Sequence, residues 1–211
     1  MTLTGPVLIT FALALVTIAN PVGNMAIFAS LTSDRDDTEK KQIALKATVA
    51  IVVILVIVTW SGSYILGLFD ISIAAFQTTG GLIILLLGLS MLHSRMSAMH
   101  QTLEEKKAAV EKDEIAVVPI AIPIVAGPGA MTTIIVQTHQ TGTVVDRLVV
   151  TVVCVLVALL LLLAFRFAAP LSHRLGIGGV NIVTRIMGMM LAAIAVGMLA
   201  AGLKKLFPGL A

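Results

Sequence analysis

The sequence predicts an all-α polytopic membrane protein: six transmembrane helices in two inverted three-helix repeats, with discontinuous first and fourth helices. Three observations predict it. First, 58% of the 211 residues are hydrophobic and only 12% are charged, against about a quarter charged in an ordinary globular chain. The mean hydropathy is +1.07, and such a chain cannot supply a polar coat. Second, the apolar residues fall in long runs, each near the roughly 20 residues that cross a bilayer core. Third, two of those runs are interrupted by Pro and Gly at matching places.

The first span is Val7–Phe28. It contains TIANPVGNMAIF, with a helix-breaking Asn20-Pro21 followed by Gly23. No Lys or Arg precedes it, and a signal peptide requires a positive n-region, so a retained span is expected. The polar stretch LTSDRDDTEKKQIALKA follows, residues 31–47. Ser33 and Asp36 have the spacing of a capping box, with acids then lysines, as at the start of a solvated helix. Span two is Ala47–Phe69. Trp60 and Tyr64 are four apart, on one helix face near its end, and suit an interfacial belt or helix packing equally. Span three is Ile73–Leu92. The polar segment SAMHQTLEEKKAAVEKDE, 97–114, reads as a linker between a first repeat, 1–96, and a second, 115–211. Span four, Ile115–Val136, carries Gly127-Pro128-Gly129. Span five, Leu148–Phe165, and span six, Ile186–Leu203, are plain hydrophobic helices.

Positive charge selects an orientation. Eleven of the fourteen Lys and Arg residues fall in or beside the loops after spans one, three and five. The remaining three are Arg147, Lys204 and Lys205. The positive-inside rule places the first group in the cytoplasm and both termini outside. The net charge of +3 therefore reflects topology, and no nucleic-acid partner is expected. The single cysteine, Cys154, lies in an apolar run and excludes an internal disulfide. The histidines at 93, 100, 139 and 173 show no metal-ligand spacing. No metal and no cofactor are expected. Nor is an enzyme, because paired aspartates, Ser with His, or HExxH at depth are lacking.

The two interruptions repeat. Pro21 and Pro128 are 107 residues apart. Later in each half, Gln77 precedes Gly80 and Arg185 precedes Gly188, an offset of 108. Three spans is an odd number, so a second copy enters from the opposite face. Inverted repeats with broken helices mark secondary transporters.

Irregular backbone at membrane depth is tolerated where protein covers it or a cavity meets it. Span one reaches Asn20 after about 13 residues, roughly 20 Å, and span four reaches Gly127 at a similar depth from the other face. Both breaks fall in the middle third of a bilayer about 30 Å thick. Each frees N–H groups that suit a carboxylate and carbonyls that suit an ammonium group. A small zwitterion bears both. Gly23, Gly127 and Gly129 would admit close approach, and Asn20, Thr132 and Thr133 would add hydrogen bonds. Arg185 would bind a substrate carboxylate, pair with freed carbonyls, or snorkel to the surface. The alternative for Pro21 and Pro128 is a kink that only improves packing. Gly80, Gly81, Gly88 and Gly188 read as close helix contacts.

NPVGNMAIF, VPIAIPIVAGPGAMTTIIV, FQTTGGLI and NIVTRIMGMMLAAIAVGML resemble the motifs of the MarC family of six-span bacterial inner-membrane proteins. The resemblance covers nearly the whole chain. It implies a bacterial plasma-membrane location and relatedness to transporters of neutral amino acids such as glycine and alanine. Relatives often carry Arg where this chain has Gln77 and Pro where it has Ala26. The expected function is secondary transport or export of small neutral amino acids, bound between the broken helices. A passive channel for small solutes and a non-transporting family member are the alternatives. The expected partners are a small zwitterionic substrate and the lipid bilayer, with homo-oligomerisation left open.

Overall fold

The computed structural model describes residues 4–33, 35–92, 125–141 and 143–210. The predicted linker, 97–114, and residues 115–124 of the predicted fourth span lie outside the described residues. Among the described residues the chain is all-helical, and five helical stretches are long and apolar enough to cross a membrane.

Helix α1, Gly5–Ala19, and helix α2, Pro21–Leu31, together form the first of them. They are separated at Asn20, where the predicted break falls. Pro6 fits the first turn of α1 and Pro21 the first turn of α2, positions where a missing N–H costs little. Helix α3 is Asp37–Leu68. It is longer than predicted because the polar stretch and the second span form one continuous helix. Its cap is Asp36, not Ser33: Asp36 Oδ1 accepts from Glu39 N at 2.7 Å. The aspartate side chain reaches the third helical amide, and Glu39 and Asp37 add acid in the positive first turn.

Helix α3 ends at a Schellman turn. Ile71 N donates to Leu66 O at 2.9 Å and Asp70 N to Gly67 O at 3.2 Å, while Asp70 takes the left-handed conformation at φ 52. Ser72 then caps helix α4, Ile73–Leu92, accepting from Ala75 N at 3.1 Å. These bounds are those predicted for span three.

In the second half, helix α5 is Pro128–Thr141, helix α6 is Val144–Arg166 and helix α7 is Ala168–Leu206. Helix α7 is interrupted at Gly176, φ 62 and ψ 174, a conformation essentially reserved for glycine. Its apolar portion is Gly178–Leu206.

Packing follows the small residues. The most extensive pairing is α4 on α7. A Cβ built on Gly88 would lie 2.8 Å from Gly188 O, and one on Gly188 would lie 2.8 Å from Gly88 O. Further along, Gly81 stands against Ala195 and Leu199, and Gly202 against Thr78 and Ala74. Residue numbers rise on one helix as they fall on the other, so the pair is antiparallel. Gly81, Gly88 and Gly188 are therefore close-contact positions on this seam, whereas Gly80 faces Thr132 of α5. In lipid the backbone approach itself supplies much of the association energy.

The remaining contacts run α3 to α6, α3 to α5, α4 to α5, α2 to α7, and α1 and α2 to α6. One core draws on both halves, through Leu15, Met25, Ile51, Ile84, Ile134, Cys154, Leu161 and Leu191. The outside is as apolar as the inside. Ile57, Leu86, Leu156, Ile182 and Val196 are all exposed. Apolar surface on every spanning helix is stable only against acyl chains. Trp60 and Tyr64 are exposed too, and the Trp60 indole donates to Thr151 Oγ1 of α6 at 3.2 Å. Trp60 thus joins two helices, while Tyr64 faces outward.

Candidate functional site: a helix break against the start of α5

At the first break Asn20 sits at φ 41, ψ 66 and is buried. Asparagine is among the few non-glycine residues that occupy this region at modest cost. Its backbone N–H still closes α1 by donating to Val16 O at 3.0 Å, and its carbonyl opens α2 by accepting from Asn24 N at 3.0 Å. Its side chain caps α2, Oδ1 accepting from Gly23 N at 3.2 Å. Gly23 leaves room for that cap, because a Cβ there would overlap the Asn20 amide. Asn24, also buried, donates from Nδ2 to Ala19 O at 2.6 Å. Two groups expected to be free for a ligand, the Gly23 amide and the Ala19 carbonyl, are thus bonded within the break itself. In an apolar setting each would otherwise cost several kcal/mol, about what an unpaired peptide group costs in lipid.

Where the sequence predicts the second break, helix α5 begins at Pro128, with Gly127 and Gly129 buried. Gly127 O accepts from Met131 N at 3.1 Å. Thr132 and Thr133 turn their hydroxyls back on their own helix, donating to Pro128 O at 2.8 Å and Gly129 O at 2.9 Å. Each hydroxyl oxygen keeps acceptor capacity.

The α1–α2 break lies against the start of α5. A Cβ on Gly129 would be 3.6 Å from Ile18 Cγ2, in the last turn of α1, and 2.8 Å from Ile84 of α4. Glycine at this position is what lets the start of α5 press against Ile84 of α4, while the end of α1 lies at ordinary contact distance. The immediate contact is apolar. Asn20, Gly23, Gly127, Gly129 and Thr132 are all buried around it, while Pro128 is exposed. Arg185 stands apart: it is exposed, beside the buried Thr184.

A groove of about 360 Å³ runs between α1, α5 and α7. Pro6 and Ala14 of α1 line it with Thr133 and Gln140 of α5; since the end of α1 at Ile18 meets the start of α5 at Gly129, the two helices run antiparallel along it. Its polar groups are Thr10, Thr133, Gln137 and Gln140, and no charged residue lines it. Of the predicted site residues only Thr133 reaches it. Thr10, Asn24, Gln137 and Gln140 were not legible as site residues in the sequence. Asn24 carried one signal, its i+4 spacing from Asn20. Asp146 is a further buried polar residue, at the start of α6, where its Oδ2 accepts from the Thr143 hydroxyl at 2.6 Å. Among the described residues no three His, Cys, Asp or Glu side chains come together as a metal site would require.

The helices, their apolar exteriors and the broken first span define an integral multi-pass membrane protein. Residues 5–207 match the MarC family of integral membrane proteins. The chain is 36% identical over 199 residues to the UPF0056 membrane protein YvbG of Bacillus subtilis, covering 93% of each chain. It is 34% identical over 205 residues to the UPF0056 membrane protein YhcE of Escherichia coli, covering 97% of this chain and 95% of that one. A UPF0056 membrane protein of Archaeoglobus fulgidus is 36% identical over 181 residues, 85% of this chain and 84% of its own. No solved structure matches. The chain belongs to the MarC family.

Proposed function

We propose that this protein is a secondary transporter or exporter of small neutral amino acids, built from two inverted three-helix repeats, with the substrate bound where the two breaks meet. The observation that carries the reading is the contact of the α1–α2 break with the start of α5, through Ile18 and Gly129. The groove along α1 and α5 would lead a solute toward Thr133, and its hydroxyl and amide lining without charge suits a solute of no net charge.

The packing pattern supports the repeat. Exchange of the halves carries α2 on α7 into α5 on α4, and α3 on α5 into α6 on α2; all of these pairs are in contact. The pairs α4–α7 and α3–α6 map onto themselves. The 108-residue shift turns Gly88–Gly188 into 196 with 80, next to the observed contact of Gly81 with Ala195 and Leu199. A twofold axis in the membrane plane fits such an exchange. Positive charge then puts the α2–α3 connection in the cytoplasm and both termini outside the plasma membrane.

A second reading has its own support. The bonds from Asn20 and Asn24 that occupy the break's donor and acceptor also suit a break that only shapes packing, in a family member that transports nothing. Under the transport reading these side chains must yield to the substrate, Asn20 releasing the Gly23 amide to its carboxylate. Uptake of labelled glycine and alanine into proteoliposomes separates the readings. Transport predicts saturable flux above protein-free vesicles, lost in Pro21→Ala/Pro128→Ala with membrane insertion intact. Non-saturating flux would identify a channel, and no flux of either solute would refute the transport reading.

A further inference from the structure

A second cavity, of about 510 Å³, opens where α2 and α6 end and α3 begins. Three cations line it, Lys40, Lys41 and Arg166, against one carboxylate, Asp37. Lys40 Nζ lies 3.9 Å from Asp37 Oδ1, whose side chain is 92% exposed, so that pair is weak. Among the described residues no carboxylate pairs with Lys41 or Arg166. The cavity therefore carries an excess of positive charge.

Beneath the cations the wall is apolar. Phe28 of α2 and Phe165 of α6 stack with ring centroids 4.8 Å apart and an interplanar angle of 16°. Ala29, Ala168 and Pro170 complete that side. Thr32 adds no free donor, since its hydroxyl donates to Phe28 O at 2.8 Å. Beside the cavity one face of α3 passes at four-residue spacing from exposed Lys41 to exposed Leu45, Val49 and Val53, with Lys46 exposed on its flank. Such a change from charged to apolar surface is what a helix presents on entering lipid, and the cavity lies beside it.

We propose that this cavity binds the phosphate headgroup of an anionic phospholipid. Lys41 and Arg166 hold the phosphate, Arg166 by the forked donors that match its oxygens, and the exposed Leu45 and Val49 of α3 take the first acyl methylenes. A soluble organophosphate offers the same anion, but no acyl chain to lie along Leu45 and Val49. A zwitterionic headgroup would bring its own cation against the basic rim. Basic pockets between spanning helices at the interface are suited to anionic headgroups, and each Lys or Arg near a membrane surface contributes about a fivefold gain in binding.

The test is lipid retention by the full-length protein in detergent, read by native mass spectrometry. Phosphatidylglycerol and phosphatidylcholine of identical acyl chains are titrated separately. The wild type is expected to hold phosphatidylglycerol at least about tenfold more tightly than phosphatidylcholine. The triple variant Lys40→Gln/Lys41→Gln/Arg166→Gln is expected to lose that preference. A control neutralising cations outside the cavity, Arg35→Gln/Lys46→Gln/Lys204→Gln, is expected to keep it. If the triple variant does not fold, Lys41→Gln alone is the readout, with an expected loss of about fivefold. Equal retention of the two lipids by the wild type, or equal loss in the control, overturns the site. Displacement of phosphatidylglycerol by equimolar glycerol 3-phosphate overturns the lipid assignment.

Discussion

Replacing Gly88 with Ala places one methyl group in the tightest part of the α4–α7 seam. That methyl would stand 2.8 Å from Gly188 O, 2.9 Å from Ala192 N and 3.3 Å from Ala192 Cα. All three are backbone atoms of a helix, so no side chain can swing away. Ordinary carbon contacts begin near 3.4 Å, so the helices must part by several tenths of an ångström. Overpacking of this kind costs about 1–3 kcal/mol. Ala is better than Gly in a helix by about 1 kcal/mol, which offsets part of the cost. Gly197→Ala is the matched control. It lies in α7, where a Cβ would meet nothing within 4 Å, and it carries the same propensity gain. Gly88→Ala is therefore expected to be less stable than Gly197→Ala by about 1–3 kcal/mol, roughly five- to a hundred-and-fifty-fold in the folding equilibrium. The assay is reversible unfolding in mixed micelles as the fraction of denaturing detergent rises, followed by the fluorescence of Trp60, the only tryptophan. Gly88→Ala/Gly188→Ala should cost less than the sum of its parts, because one methyl already opens the gap that the other needs. Equal stability of Gly88→Ala and Gly197→Ala would refute the close approach of the two helices.

Asn20→Ala removes a cap and puts in the left-handed region a residue that tolerates it less well than asparagine, so a loss of about 1–3 kcal/mol is expected, and Asn20→Gly should lose only the capping part; the same unfolding assay compares them. Asp70→Gly should gain about 0.5–1 kcal/mol, since Asp70 occupies the glycine position of a Schellman turn at φ 52. Thr151→Val removes the acceptor of the Trp60 indole at 3.2 Å; emission should move to shorter wavelength, with a loss of about 1 kcal/mol or less. Gln77→Arg would set a guanidinium where Lys205 Nζ now donates to Gln77 Oε1 at 3.3 Å; it should lower thermal stability, and Lys205→Gln should restore it.

The sequence reading reached what local chemistry determines. A proline inside an apolar run ends a helix whatever surrounds it, so the Asn20–Pro21 break was legible, as were the bounds of α4, set by Ser72 and the end of the apolar run. The glycines of the α4–α7 seam were legible because only small residues permit backbone contact. Helix α3 was divided too early, because hydropathy changes at Ala47 while the backbone hydrogen bonds continue. Ser33 and Asp36 both had credible capping chemistry, and only the chain direction into α3 chose between them. Asp146 lies before the apolar run of span five and drew no notice in the sequence; the Thr143 hydroxyl, the cap of α6, makes its burial affordable. Arg185 sits among apolar residues in the sequence, yet which way it faces depends on the helix phase against α4.

The break itself shows why side-chain partners lie beyond the reach of a pattern. Pro21 says that a backbone bond is lost, but not what replaces it. Here the replacement is local: Asn20 reaches three residues forward to the Gly23 amide, and Asn24 five residues back to the Ala19 carbonyl. The two amides hold the gap open without an external ligand. This also fixes what transport would demand of the site. A zwitterion can enter only by exchanging these bonds for its own, one carboxylate for the Asn20 side chain and one ammonium for that of Asn24. The exchange leaves the number of hydrogen bonds at the break nearly constant, so a bound and an empty site can have similar stability. Asn24→Leu, which keeps the volume and removes the donor, should then weaken an empty break more than an occupied one. Glycine at saturating concentration should restore part of the stability that Asn24→Leu loses, and an unchanged deficit would favour a break that serves packing alone.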